Sequence, residues 1–248
     1  MDNEFSGIVM FIKEHKDVDA MVKVFSREFG KQMFFVKQLN SGTHYLKPVL
    51  VTGTRAHFVG KINLNGLSFL RDYKHNISLW KQMDDIVVQA YLAYFIALSD
   101  AVIEDRIVNV KLFDLLWNCL EMVHQNFDIE VIAMMFELKM LDFWNVHLSF
   151  DECVITKQKG VPLDFSFKFG GCIATSQWDK DVYRLKLNPN AIYLMHQLQQ
   201  VPFEKVSQIK ISDSLKGEMR RAIDVIYDEY VGIKLKSKKY IEDLKDWF

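Results

Sequence analysis

Val24-Phe25-Ser26-Arg27-Glu28-Phe29-Gly30-Lys31 and, with only Gln32 between, Met33-Phe34-Phe35-Val36-Lys37 set the fold of the first part of the chain. Both runs are rich in Val and Phe and are punctuated by glycine, the composition of short strands. Successive side chains of a strand point to opposite faces, so only one of Phe34 and Phe35 faces a core. The other is left as a partner surface or a platform for a nucleobase. On either side, segments 5–13, 20–26, 31–37, 47–53, 56–62 and 67–72 share the pattern, and Asn63-Leu64-Asn65-Gly66 reads as a hairpin turn. Five or six such strands in about 70 residues make a small closed barrel, for which an OB-fold and an SH3-like barrel fit equally well.

After Asn76 the periodicity changes. Ile86, Val87, Ala90, Tyr91, Tyr94 and Ile96 to Leu98 fall in one hydrophobic helix, with two more expected over Phe113 to Asn126 and Ile129 to Leu141. Apolar residues surround much of their circumference, which predicts the interior of a bundle. Residues 144–187 are irregular, although Phe165-Ser166-Phe167-Lys168-Phe169 alternates like a strand with one buried face. Helical pattern resumes at Asn188-Pro189-Asn190-Ala191 and continues to Trp247. The expected architecture is multi-domain α+β: a barrel over 1–76 followed by an all-α helical domain over 77–248 that contains the irregular lobe.

The last of the strong helical patterns starts near Ser212. Leu215, Met219, Ala222, Ile223, Ile226 and Tyr230 line one face of it, and Gly232 suits the left-handed backbone that closes a helix. The segment Gly232-Ile233-Lys234-Leu235-Lys236-Ser237-Lys238-Lys239 then places lysines where the negative end of the helix dipole favours cations. On residue chemistry alone a solvated, well-capped helix end accounts for them, and only their spatial company decides whether they bind anything.

Half of the 248 residues are hydrophobic, enough for a sizeable core without disulfides. A net charge of -1 gives no global attraction to nucleic acid, so any DNA-binding surface must be a local patch. One candidate is visible: between Phe29 and Leu70 every charged residue is basic, namely Lys31, Lys37, Lys47, Arg55 and Lys61. These are the expected phosphate contacts. The longest apolar run, Ala90 to Leu98, is too short for a membrane span of about 20 residues, and Met1-Asp2-Asn3-Glu4 lacks a signal-peptide pattern. Cys119, Cys153 and Cys172 imply no disulfide framework, which points to a reducing cytoplasm. The seven histidines are scattered, no serine sits in a nucleophile elbow, and neither Gly30-Lys31 nor Gly60-Lys61 is a P-loop, so no enzyme is expected.

Phe5-Ser6-Gly7-Ile8-Val9-Met10-Phe11-Ile12-Lys13, the two runs quoted first, Phe136-Glu137-Leu138 within Val131 to Leu141, Leu148-Ser149-Phe150-Asp151-Glu152-Cys153 and the basic C-terminal segment together resemble the RecO family of bacterial recombination mediators. The likeness covers nearly the whole chain and is nearest to versions from lactobacilli and streptococci. It implies an OB-fold barrel and a non-enzymatic, cytoplasmic, nucleoid-associated protein without a cofactor. Such a protein anneals single-stranded DNA and, with RecR, helps load RecA onto DNA coated by single-stranded DNA-binding protein. Lys234, Lys236, Lys238 and Lys239 then join the barrel cations as DNA contacts. The resemblance also implies a groove in the helical part for the C-terminal tail of single-stranded DNA-binding protein. Met135, beside Met134, is its candidate lining, and Arg106, Lys111 and Lys139 its basic rim.

Many relatives carry two Cys-x-x-Cys pairs in the irregular lobe, a tetrahedral zinc signature. Here Cys153 remains, but Thr156, Ala174 and Gln177 stand at the other three positions and Cys172 is out of register, so the zinc lobe is degenerate and no metal is expected. Gln38-Leu39-Asn40-Ser41-Gly42-Thr43-His44 also lacks the arginines that relatives carry in that loop. The rival reading is a protein-protein adaptor that does not bind DNA, built from a barrel and a helical bundle.

Overall fold

Alternation of apolar and polar residues produces the five strands β1 (Asn3–His15), β2 (Asp19–Ser26), β3 (Gly30–Val36), β4 (Arg55–Lys61) and β5 (Ser68–Ile77). In the structure, a computed structural model that describes residues 2–63, 66–206 and 210–245, they close an OB-like barrel of order β1-β2-β3-β5-β4. All its seams are antiparallel except that between β3 and β5, which is parallel. Phe5, Val9, Val22, Val24, Phe34 and Phe58 fill the interior, with Phe5 stacked on Phe34 at 5.4 Å. A Cβ at Gly7 would lie 2.7 Å from Val24 and 2.8 Å from Phe58, so the close approach of β1 to this core requires glycine.

The strand expected at 47–53 is absent. That segment is a series of turns in which the Val49 and Leu50 N–H groups both donate to the Leu46 carbonyl at 3.1 Å. Pro48 has no N–H for a ladder, and the buried Leu46, Val49 and Leu50 contribute to the barrel core from a turn instead. The hairpin expected at Asn63-Leu64-Asn65-Gly66 falls partly outside the described residues.

Among the described residues six α-helices follow: α1 (Ile86–Val102), α2 (Val110–His124), α3 (Ile129–Met140), α4 (Pro189–Gln200), α5 (Asp213–Ile226) and α6 (Lys236–Lys245). Their starts are capped by short polar side chains: Asp85, Asn109, Asp128, Asn188 and Ser212 each accept at least one N–H of the first turn. No helix among the described residues is long and apolar enough to cross a membrane. By internal contact the chain forms two units, Met1–Gln125 with Leu235–Phe248, and Asn126–Lys234.

In the first unit, α1, α2 and α6 accompany the barrel. Phe25 faces outward from β2 and meets Phe113 of α2 edge-on at 5.4 Å. Lys23 and Lys31, on β2 and β3, both reach the Asp100 carboxylate near the end of α1, at 2.8 and 2.7 Å. Lys31 also donates to the carbonyls of Asp100 and Ile103, each at 2.6 Å, and its side chain is 2 % exposed. Burial pushes the Asp100 carboxyl up, but the hydrogen bonds from the two lysines outweigh it and hold the group below its ordinary value.

The second unit contains α3, α4, α5 and the lobe. Glu137, almost wholly buried on α3, pairs with Arg220 of α5 through both carboxylate oxygens, and the Tyr227 hydroxyl donates to the Glu137 carbonyl at 2.8 Å. The lobe is built on the hairpin β6 (Leu163–Ser166) and β7 (Gly171–Ala174). The strand expected over 165–169 therefore ends early, because the chain turns at Gly170, whose φ of +65° is a left-handed conformation. Asp164, 1 % exposed, organises the lobe: its carboxylate accepts the N–H groups of Phe165, Lys186 and Leu187 and pairs with Arg184 at 3.0 Å.

At Cys153 burial opposes ionisation, but N–H donors from Thr156, Ala174 and Ile155, with the Thr156 side chain, lower its pKa. A lone thiol so cradled, with Thr156, Ala174 and Gln177 at the other positions, is a donor set that does not fit zinc. No metal-competent group of three His, Cys, Asp or Glu occurs among the described residues.

Because the folded pKa of Asp100 is depressed, its contribution is present above the ordinary carboxylate pKa and lost as pH falls through the folded value. The urea midpoint should therefore drop on going from about pH 7 to about pH 3, and Asp100→Asn should reduce that drop while costing roughly 3 kcal/mol at neutral pH. Asp164→Ala should lower the thermal midpoint by the equivalent of about 3 kcal/mol, since it orphans buried N–H groups and Arg184. A chelator should leave the wild-type melting curve unchanged.

Candidate nucleic-acid interface

The exterior of the barrel is only partly covered by helices. Across the strands, the register runs from Lys13 on β1 to Met21 on β2, Phe35 on β3, Phe69 on β5 and Lys61 on β4. Residues directly opposite one another share a face, so this is one continuous row on the outside of the barrel. Phe34 is fully buried and Phe35 half-buried, which settles the alternation in favour of Phe35 as the outward ring. Phe35 and Phe69 meet edge-on with centroids 5.9 Å apart, and Lys13 and Lys61 stand exposed at the two ends. The row presents two aromatic surfaces flanked by ammonium groups, the pairing that stacks bases while neutralising phosphates.

Further cations border the row. Lys37 directly follows β3, and Arg71 lies two residues beyond Phe69 on β5. Exposed Tyr45 stacks on His44 at 4.8 Å and its hydroxyl donates to the Arg71 carbonyl, which brings the 44–47 turn, with exposed Lys47, beside this part of β5. Among the described residues no side-chain ion pair is recorded for Lys13, Lys37, Lys47 or Lys61. Arg71 pairs with Asp2 at 3.2 Å and Lys74 with Glu4 at 2.6 Å, both at exposed positions.

Two of the barrel cations expected to contact phosphates lie elsewhere. Lys31 is enclosed by Asp100 and backbone carbonyls. Arg55 is 1 % exposed, pairs with Glu121 of α2 at 2.5 Å and lies 5.3 Å from the Trp117 ring. Burial lowers its pKa, against the opposing pull of Glu121. Both are buried cations that join strands to helices, and a phosphate would have to displace the paired carboxylate to reach them. Lys37, Lys47 and Lys61 are on the surface.

The basic C-terminal segment begins after a π-helical turn, Tyr227–Val231, closed by Gly232 at φ +68°. Lys234 is exposed, and Lys236, Lys238 and Lys239 belong to α6, which packs along α1. Lys238 is half-buried with its ammonium 5.3 Å from the Tyr94 ring, whereas Lys236 and Lys239 are exposed. The segment is thus a second basic surface, carried on a helix and not on the barrel.

The residues expected around a partner groove are not gathered in one unit. Arg106 and Lys111 belong to the first; the Arg106 guanidinium donates to the Gly66 carbonyl at 3.3 Å, and Lys111 is exposed on the first turn of α2. Met135 and Lys139 belong to the second. Met135 is fully buried, as is Met134, so both are core residues and line no open slot. Lys139 is half-buried and donates to the Gln199 carbonyl at 2.7 Å, and burial lowers its pKa. What the second unit does offer is a cleft of about 600 Å³, floored by Phe150, Leu163 and Ile192 and bordered by Tyr193, His196 and Lys159.

Phe69, Met21 and Lys13 were not singled out by the sequence. Ser68-Phe69-Leu70 carries the same alternation as Phe34-Phe35-Val36, but the pairing of β3 with β5 that sets the two rings side by side is non-local.

Comparison with known proteins was made against this geometry. A family model described as recombination protein O N terminal matches residues 1–76, and one described as recombination protein O C terminal matches residues 83–239. The chain is 37 % identical over 241 residues to DNA repair protein RecO of Streptococcus agalactiae, covering 97 % of this chain and 94 % of that protein. It is 38 % identical over 241 residues to the protein of the same name from Streptococcus pneumoniae, covering 97 % and 93 %. For that of Streptococcus thermophilus the figures are 38 % over 244 residues, covering 98 % and 94 %.

Proposed function

The chain belongs to the RecO family of DNA repair proteins, and we propose that it acts in recombination by binding and annealing single-stranded DNA, without catalysing a reaction. The observation that carries this reading is the open row Lys13-Met21-Phe35-Phe69-Lys61 on the barrel. Unstacked bases lie against Phe35 and Phe69, and Lys13, Lys37, Lys47 and Lys61 take phosphates on either side. A duplex keeps its bases stacked inside, so this surface favours single strands.

Annealing needs two strands brought together against their mutual repulsion. The barrel row holds one and the exposed lysines Lys234, Lys236 and Lys239 attract the other, so the repulsion falls without any bond being made or broken. The family resemblance adds RecR as a partner, the tail of single-stranded DNA-binding protein as a docking peptide, and RecA loading as the downstream step. The apolar floor of the cleft beside Tyr193 suits the apolar end of such a tail better than the buried Met135 does. The adaptor reading is favoured only if the barrel row meets protein instead of DNA.

Binding of a labelled oligothymidylate, titrated with salt, tests the proposal. Wild-type protein should lose affinity steeply as salt rises. Phe35→Ala and Phe69→Ala should each weaken binding by roughly tenfold at constant salt, the value of about one lost stacking contact. Lys61→Gln should weaken it less and flatten the salt dependence. No binding at low salt would shift the function to the adaptor.

A further inference from the structure

One carboxylate sits on the open face of the barrel among residues suited to an anion. Lys23 projects outward from β2, two positions along from Met21 of the aromatic row, with its side chain only 10 % exposed beneath its carboxylate partners and its ammonium 5.9 Å from the Phe11 ring. Its neighbours on that face, Phe11, Met33 and Leu67, are exposed or half-exposed. Lys23 carries two carboxylates: Asp100 at 2.8 Å and Asp105, from the loop between α1 and α2, at 2.9 Å. The two are not equivalent. Asp100 anchors Lys31 at 2.7 Å with its side chain 35 % exposed, whereas the Asp105 side chain is 51 % exposed and lies 3.6 Å from Lys31, which is already satisfied by Asp100 and two carbonyls.

The loop that carries Asp105 packs its Ile107 backbone closely on Gly30 of β3. The Arg106 N–H donates to the Lys31 carbonyl at 2.9 Å, and its guanidinium reaches the Gly66 carbonyl. Arg106 itself adopts φ +67°, a left-handed conformation that is unfavourable for a residue with a Cβ. Ile107 and Val108, which follow, are both more than half exposed. Releasing the loop relieves that backbone conformation, at the expense of the Arg106 to Lys31 hydrogen bond and the packing of Ile107 on Gly30.

We propose that this loop is a displaceable clasp in which Asp105 occupies the place of a nucleic-acid phosphate on Lys23, so that a single strand binding along the aromatic row must drive the carboxylate off. The inference rests on the reading of the barrel face as a single-strand site. A phosphate oxygen accepts from the Lys23 ammonium as the Asp105 carboxylate does, while Asp100 keeps its bonds to Lys23 and Lys31 and the barrel keeps its helix. The clasp sets a threshold. Weak or isolated anions do not dislodge it, whereas a strand that also stacks on Phe35 and Phe69 does.

The test compares oligothymidylate binding by wild type, Asp105→Asn, Asp105→Glu and the double variant Asp105→Asn/Lys23→Met, each shown by circular dichroism to melt as a folded protein. Asp105→Asn should bind about two- to fivefold tighter, as expected from removing one competing, half-exposed ion pair. Asp105→Glu should bind as wild type does, and Lys23→Met should erase the gain. In the wild type, saturation with the oligonucleotide should also speed hydrogen exchange of the Arg106 amide. Unchanged affinity of Asp105→Asn, a gain that survives Lys23→Met, or an Arg106 amide equally protected with and without oligonucleotide would each overturn the clasp. If wild type and Asp105→Asn both fail to bind at low salt, the single-strand site falls and the clasp with it; if wild type binds and Asp105→Asn binds no tighter, only the clasp falls.

Discussion

Lys23 and Lys31 project from the barrel into a place where water is largely excluded, and a buried ammonium persists only where a carboxylate meets it. Asp100 meets both, and in doing so ties the end of α1 to β2 and β3. The same logic recurs where buried Arg55 of β4 meets Glu121 of α2, and an exposed pair joins Arg27, just after β2, to Asp114 of α2 at 2.9 Å. In each joint the strand side supplies the cation and the helix supplies the anion. The basic excess of the barrel sequence is therefore partly an internal complement to the acids of α1 and α2, and only the remainder is offered to solvent.

This division shapes the exterior. Where the helices cover the barrel, cations are paired and Phe25 is packed under Phe113. Where they do not, Phe35 and Phe69 lie open between Lys13 and Lys61. A chain of net charge -1 thus presents a basic and aromatic strip without carrying excess positive charge overall. The lobe of the second unit follows a parallel principle, with the Asp164 carboxylate gathering backbone N–H groups and Arg184.

Much of this was readable from local pattern. The barrel strands followed from alternation, the helix starts from Asn188-Pro189 and Ser212, and the choice between Phe34 and Phe35 reduced to two options that the register resolved. The misses share a cause. Lys31 looked like a surface lysine because Asp100, which claims it, lies 69 positions away. Arg55 and Glu121 are separated in the same manner. Met135 looked like a slot lining because α3 is apolar all round, and such a helix does not announce which side is open. Segment 47–53 had strand composition but was drawn into the core by turns, a tertiary preference that outweighs β-propensity.

The seam between β3 and β5 joins only two recorded residue pairs, Phe34 with Ser68 and Phe35 with Phe69, whereas β1 and β2 share eight. It brings together segments more than thirty positions apart, with the 38–54 turns and β4 between them, as the β1–β4 seam does over a still longer separation but with six pairs. Local hairpins such as β1–β2 close cheaply, while a long loop must lose its conformational freedom before so short a parallel junction rewards it. Zipping this short junction is a non-local step in closing the barrel. Because the two exposed rings become neighbours only at that step, a partly folded chain has no continuous aromatic strip, and recognition of a strand reports that the barrel has closed.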